Sequence, residues 1–221
     1  MTTTTHPLAE QLAETRASFQ QQVPEVVQAT MKTATEALEV AGLADQALTV
    51  GDIAPDFTLP DATGKAVRLS DLLQQGPVVI NFYRGEWCPY CNLELRAFQN
   101  LLPEFKQAGA TLVAISPELP DHSLSVTEKH NLAYSVLSDV GNQVSRQYGL
   151  VFTLDESLRP IYKNFGIDIP ASNGDDSYEL PMPATYVIDQ ARRIRYAFAE
   201  ADYTQRAEPQ DVLAVVNELV S

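Results

Sequence analysis

Cysteine is scarce in this chain: Cys88 and Cys91, three positions apart, are the only two. A disulfide scaffold needs cysteines spread over the fold and an iron–sulfur cluster takes four ligands, so both are excluded. A structural zinc site would need two further ligands, and only His6, His122 and His130 remain. No metal or cofactor is expected. Long apolar runs are missing too; none reaches 18 residues, so no membrane span is expected. The start, Met1-Thr2-Thr3-Thr4-Thr5-His6-Pro7, lacks the charged and apolar regions of a signal peptide, and no Asn-x-Ser/Thr sequon occurs. The expected location is a reducing cytoplasm. Basic residues are few: 15 Lys and Arg against 29 Asp and Glu give a net charge of −14. Nucleic acid and anionic membrane surfaces are therefore not expected partners.

What is present is an ordinary globular composition, 45% hydrophobic and 20% charged. At 221 residues the chain is about one and a half typical domains, which fits one domain with an appendage. Residues 8–42 read as helical, with apolar pairs four apart at Leu8 and Leu12, Phe19 and Val23, Val27 and Met31, and Ala34 and Leu38. Pro24 divides them into two helices and Gly42 stops the second. Residues 1–48 are thus expected to form a helical N-terminal extension, and 49–221 the main domain. Surplus apolar positions in the extension suit either a homodimer contact or docking on the chain's own domain.

After Leu48 the texture changes. An extended stretch to Leu59, a turn at Asp61–Lys65 and alternation at Val67 and Leu69 predict a hairpin. Val78-Val79-Ile80-Asn81-Phe82-Tyr83 reads as a central strand buried on both faces. A helix is expected over about Pro89–Ala108, with a kink or break at Pro103. Ala110–Ile115 predicts a second buried strand, Asp121 the cap of a helix ending near Leu132, and Tyr134–Leu137 a short strand. Val144 and Tyr148 suit a further helical turn. Thr153-Leu154-Asp155-Glu156 has capping-box spacing ahead of an apolar stripe that Gly166 stops. Ala171–Glu179 reads as a polar loop, Ala184–Ile188 and Ile194–Phe198 as a last hairpin, and Asp211–Val220 as a closing helix. Strands alternating with helices and ending in a hairpin predict an α/β sandwich with a mixed central sheet flanked by helices.

The chemistry concentrates in Trp87-Cys88-Pro89-Tyr90-Cys91, between a buried strand and a helix. Pro89 suits the first helical position, which makes Cys88 the N-cap and places Cys91 in the first turn. Free N–H groups and the helix dipole favour a thiolate at either place. Two intervening residues let the sulfurs bond to each other reversibly, and the carboxyl end of a central strand is where open α/β sheets place their sites. A pair of small buried hydrophobes is the bland alternative.

The stretch Val79-Ile80-Asn81-Phe82-Tyr83-Arg84-Gly85-Glu86-Trp87-Cys88-Pro89-Tyr90-Cys91-Asn92-Leu93-Glu94 resembles the active-site segment of the peroxiredoxins, the alkyl hydroperoxide reductase and thiol-specific antioxidant family, in its Cys-x-x-Cys branch. Gly51–Pro60 resembles the family's opening hairpin. Val113–Pro117, Leu137–Asp139 and Ala184–Asp189 resemble its later landmarks. The resemblance covers about residues 49–216 and implies a thioredoxin-like fold. It also implies a thiol-dependent peroxidase for hydrogen peroxide and organic hydroperoxides, with thioredoxin, glutaredoxin or a small thiol as reductant.

Laid on the family's Pro-x-x-x-Thr-x-x-Cys motif, the peroxidase cysteine falls on Cys91, the threonine on Cys88 and the proline on Arg84. The family's late arginine falls on Pro183. Two peroxide-activating groups are therefore replaced, and Arg84 is a candidate substitute charge or a solvated arginine. Cys91 is then the attacking sulfur and Cys88 the resolving one. Pro183 also resembles the cis-proline of thioredoxin-like disulfide oxidoreductases, a reading in which Cys88, the more exposed sulfur, leads. A redox sensor without fast peroxidase activity is the third alternative. Glu94 is expected to hydrogen-bond within the site and Trp87 to pack against the sulfurs. Tyr83 and Tyr90 are candidates for its entrance or for core packing. Glu86 reads as a solvated loop acid, and His122 and His130 as surface residues.

Overall fold

The strand Val78–Phe82 decides the architecture, because its residues alternate between two different cores. The computed structural model describes residues 7–220; the stretch Met1–His6, on which the reading of the chain's start rests, lies outside the described residues. Val78, Ile80 and Phe82 of this strand, β3, face one apolar cluster, and Val79 faces another. A strand with both faces covered needs partners on both edges. It pairs in parallel with β4 (Thr111–Ser116) and antiparallel with β8 (Ala184–Ile188). Adding β5 (Ser135–Ser138) beside β4 and β9 (Ile194–Ala199) beside β8 completes a five-stranded mixed sheet of order β5-β4-β3-β8-β9.

One face is covered by the hairpin β1 (Thr58–Pro60) and β2 (Ala66–Arg68), by α3 (Leu69–Leu73) and by Val144 and Tyr148 around α7 (Gln143–Gln147). The other carries α4 (Pro89–Asn100), α5 (Leu102–Gln107) and α10 (Pro209–Val220), with Phe98, Phe105, Val212 and Val216 against Val79 and Val187. Pro103 sits where expected, in the first turn of α5, and the helix breaks at Leu101. The helix α6 (Pro120–His130) connects β4 to β5.

Several local expectations are corrected. Leu69 opens α3 rather than continuing the hairpin, its N–H donating to Phe57 O at 3.1 Å. Leu119, not Asp121, is the N-cap of α6. Thr153 ends a short strand, β6 (Val151–Thr153), and Asp155 does the capping, accepting from the Ser157 N–H; α8 (Arg159–Asn164) follows. The stretch expected as a loop contains the end of α9 (Ile169–Asn173), capped by Asp168, and the start of β7 (Glu179–Pro181), which pairs with β6. Apart from α6, these elements are three to six residues long, too short for a period to declare itself.

The helices α1 (Leu8–Gln22) and α2 (Glu25–Val40) dock on their own domain. Leu8 and Leu12 join the cluster that holds Tyr83, Cys88 and Cys91, and Met31 packs with Leu154, Leu158 and Tyr162. The connection to β1 runs tight over Gly149, where φ is +72° and a Cβ would lie 1.9 Å from Gln46 O. Only glycine fits there. No helix among the described residues is long and apolar enough to cross a membrane.

Candidate active site

Cys88 is the N-cap of α4 and Pro89 its first residue, the arrangement the spacing predicts. Both sulfurs are buried, Cys88 at 1% exposure and Cys91 at 0%, so the greater exposure expected of Cys88 amounts to almost nothing. Leu8, Leu12, Leu95 and Ala114 share their cluster, and Trp87 packs against it. The expected contact of Trp87 with the sulfur cluster is thus present, and the N-terminal helix contributes to the closure.

The sulfurs share one charge. Arg206 Nη2 donates to Cys91 Sγ at 3.3 Å. Cys88 and Cys91 lie side by side, and each shifts the titration of the other. Burial alone would push Cys88 up. The Cys91 hydrogen bond and the Arg84 and Arg206 guanidinium groups outweigh it and bring Cys88 from 9.0 down to about 6. Burial, its role as donor and the adjacent Cys88 charge push Cys91 up instead. The pair therefore gives up its first proton below the ordinary thiol value, with both guanidinium groups favouring the anion.

Arg206, unmarked in the sequence, lies in the loop before α10. Its side chain and that of Glu94 are each 1% exposed, with Nε 2.7 Å from Glu94 Oε2. A lone arginine in a polar loop carries no periodic or motif signal, so only the fold reveals it. Glu94 also accepts from the Thr185 hydroxyl at 3.3 Å, and Asn81 Nδ2 donates to Thr185 Oγ1 at 3.2 Å. Asn81 and Thr185 are direct cross-strand partners on β3 and β8, polar exceptions in two apolar strands. Burial pushes Glu94 up to about 7 against the pull of Arg206. The expected hydrogen bonding of Glu94 within the site is present.

Arg84 is not solvated. It is 2% exposed, with its guanidinium 4.9, 5.6 and 4.4 Å from the rings of Trp87, Tyr162 and Tyr203, and it donates to the Tyr162 hydroxyl. Stacking on aromatic faces suits its weakly hydrated plane. The expected cis bond before Pro183 is absent; no peptide bond among the described residues is cis. The chain runs extended from β7 to β8, Met182 N–H donating to Leu150 O at 2.8 Å, and the ordinary trans form sustains that path. Pro183 is buried and lines a cavity beside Arg84. Tyr83 and Tyr90 belong to the core, Tyr90 packing on Tyr203 with centroids 5.7 Å apart. Glu86 is not free in solvent: it accepts from Ser125 and Lys129 on α6 at 3.0 and 3.3 Å. His130 is half-buried, its Nε2 enclosed, and burial together with Arg96 and Lys129 lowers its pKa.

Glu118 was also missed, although it follows the carboxyl end of β4, where such sheets place functional groups. It is fully buried and accepts the Glu86 N–H at 2.8 Å, tying down the loop that leads into Cys88. Burial, then the charges of Glu86 and Cys91, push it up to about 8 despite that hydrogen bond. Its pKa is raised on folding, so its contribution to stability is full below the unfolded value near 4.5 and is lost as pH rises through about 8. Glu118→Gln cannot ionise. In urea titrations it is expected to match the parent near pH 5 and to exceed it near pH 9; a difference independent of pH contradicts the assignment.

Comparison with known proteins places this geometry. Residues 50–197 match the model of the AhpC/TSA family. A chloroplastic peroxiredoxin Q of Gentiana triflora is 37% identical over 100 residues, 45% of this chain and 46% of that protein. A putative peroxiredoxin of Mycobacterium tuberculosis is 38% identical over 119 residues, 53% of this chain and 77% of that one. The chain spans about half the length of the plant relatives it matches. Among solved structures, peroxidoxin BcpB of Mycobacterium tuberculosis aligns with a TM-score of 0.62 at 28% identity, over 79% of this chain and 99% of that one. A peroxiredoxin-like protein of Aquifex aeolicus reaches the same TM-score at 19% identity, over 78% and 88%, a likeness of fold alone. The architecture is thereby the thioredoxin-like one. The family match runs from before the opening hairpin, through both sulfurs, into the last strand, and the chain belongs to the AhpC/TSA family.

Proposed function

We propose that this protein is a thiol-dependent peroxidase that reduces hydrogen peroxide and organic hydroperoxides through a Cys88–Cys91 dithiol/disulfide cycle, with Cys88 meeting the peroxide. The observation that carries the reading is the buried Cys88 and Cys91 pair at the start of α4, with Arg206 donating to Cys91 Sγ at 3.3 Å. The family's motif register points to Cys91 as the attacking sulfur. The downward shift of Cys88 and the upward shift of Cys91 support placing the charge on Cys88 instead, and the thiolate is the nucleophile.

In the first step the Cys88 thiolate attacks the terminal peroxide oxygen. An S–O bond forms, the O–O bond breaks, and the departing alkoxide or hydroxide takes a proton to leave as alcohol or water. Arg84 and Arg206 stabilise the charge that develops. In the second step Cys91 loses its proton and attacks the Cys88 sulfur. The S–S bond forms and the sulfenic oxygen leaves as water. Glu94, near neutrality in its pKa and sharing Arg206 with Cys91, is the candidate base for that thiol. Two electrons from a dithiol of the thioredoxin or glutaredoxin kind, or from small thiols, then reopen the disulfide. The cytoplasm is a reducing compartment suited to that step. A homodimer would have to use exposed apolar positions such as Val26 and Val40, since Leu8, Leu12 and Met31 are covered within the chain.

Rapid mixing of the reduced protein with peroxide, followed by thiol loss and Trp87 emission, tests the reading. At pH 7 ionisation at a pKa of about 6 favours Cys88 over free cysteine by about 30-fold. The weaker nucleophilicity of a low-pKa thiolate gives back about tenfold. The positioned guanidinium groups should add about 10²-fold. A rate about 100-fold or more above free cysteine is expected, falling as pH drops below about 6. A rate equal to free cysteine contradicts the proposal.

A further inference from the structure

A dithiol cycle closes only if a reductant reaches the disulfide, yet both sulfurs are buried. The helix α1 is part of what covers them. It packs on α4, and its two buried side chains, Leu8 and Leu12, belong to the cluster that holds both sulfurs. Glu208 pins one end of α1, its carboxylate accepting the Leu8 and Ala9 N–H groups at 3.1 and 3.2 Å. Further along, Arg16 pairs with Asp202 at 3.5 Å and donates to the Thr204 hydroxyl. All three anchors lie on one strap, residues 202–208, between β9 and α10.

The strap is also tied to the sulfurs. Arg206, two residues before Glu208, donates to Cys91 Sγ at 3.3 Å, and the ring of Tyr203, next to Asp202, lies 4.4 Å from the Arg84 guanidinium. Arg206 further donates to the carbonyls of Tyr203 and Gln205, which folds the strap around it. In the reduced pair both guanidinium groups face an anion. Closing the disulfide removes that charge and leaves only a weak sulfur acceptor, so Arg206 keeps Glu94 and loses its hold on Cys91. We propose that α1 and the strap form a redox-sensitive cover, latched while the dithiol is reduced and released when the Cys88–Cys91 disulfide forms, so that a thioredoxin-type dithiol meets the oxidised pair and not the reduced one. Once undocked, α1 loses its protection, since 15 residues are marginal as an isolated helix. Both parts of the cover lie outside residues 50–197, the stretch that the family model matches. The inference rests on the dithiol/disulfide cycle proposed above, but not on peroxide as its oxidant.

Amide hydrogen exchange of α1 is measured in the full-length protein, reduced and after one equivalent of hydrogen peroxide or of diamide. Either oxidant takes two electrons and two protons from the thiols as the S–S bond forms. Exchange in α1 should rise at least about tenfold on oxidation by either, while the central strand β3 stays unchanged. Glu208→Ala should bring α1 of the reduced protein to the exchange of the oxidised one. It should also speed labelling of the two reduced thiols by a bulky maleimide at least about tenfold. Arg16→Ala provides a second variant if Glu208→Ala does not fold. Equal exchange of α1 in the two redox states of the wild type, or unchanged labelling in a folded variant, overturns the proposal. If diamide closes the disulfide and peroxide does not, the peroxidase reading fails and the exchange of α1 still decides the cover; if neither closes it, both fail.

Discussion

Cys88→Ser is expected to lose peroxide reduction by at least about 10³-fold, the scale on which a missing nucleophile registers. The substitution keeps the bulk and the N-cap preference of the position, serine being a favoured cap, so the fold should survive. It removes the sulfur that lies beside Cys91 and feels both guanidinium groups. Cys91 remains, relieved of a neighbouring charge and still holding its contact with Arg206. The variant is therefore a stringent test: if Cys91 were the attacking sulfur, as the family's register implies, the first turnover would persist. Cys91→Ser should show the converse, a first oxidation at least partly retained and no internal disulfide. Single-turnover rates under excess peroxide distinguish the two patterns.

Arg206→Met is expected to lower the rate constant with peroxide by about 10²–10³-fold, the effect of removing one positioned charge at a developing anion. It acts in two places. It removes the donor to Cys91, so the apparent Cys88 pKa should rise above its value near 6, and a rate profile against pH should shift alkaline. It also strips Glu94 of its cation. Breaking a buried pair from one side costs about 3–5 kcal/mol when the remaining charge cannot escape. Glu94 can escape by taking up a proton, since its pKa is already about 7, so the loss of stability should fall below that range. Arg206→Lys should recover part of the rate, because a point charge replaces the charge but not the forked geometry. An unshifted pH profile in Arg206→Met would show that Arg206 is structural only.

The central strand, the break at Pro103 and the N-cap at Cys88 were legible in the sequence because each rests on a short-range rule: a β-branched run, a ring without an N–H, a helix start. The site was legible only along the chain. Cys88, Cys91 and Glu94 lie on one helix at one end of one strand, and spacing alone brings them together. Arg206 comes from a loop 115 residues beyond Cys91, and its contact with the sulfur depends on how α10 closes over the sheet. Arg84 was visible as a charge beside the motif. Its burial follows from Tyr162 on α8 and Tyr203 after β9, remote positions with no pattern linking them. Pro183 shows the opposite error: a position borrowed by likeness suggested a cis bond, whereas the local path is extended and trans.

The replaced motif residues also find an account. Where the family pattern has a threonine, the chain has Cys88, and where it has a late arginine, it has Pro183. The positive charge arrives instead on Arg84 and Arg206, from before and after the usual place. Both are buried, so their field acts in a low dielectric and is little screened by salt.

The most direct test is the location of the first oxidised sulfur. Full-length wild type and Cys91→Ser, reduced beforehand, receive one equivalent of peroxide in the presence of a dimedone-type probe, and the adduct is mapped by mass spectrometry. The adduct should sit on Cys88 in both proteins, more abundantly in Cys91→Ser, where no second thiol competes. An adduct on Cys91 in the wild type, or none in Cys91→Ser while peroxide is consumed, would contradict the assignment of the thiolate.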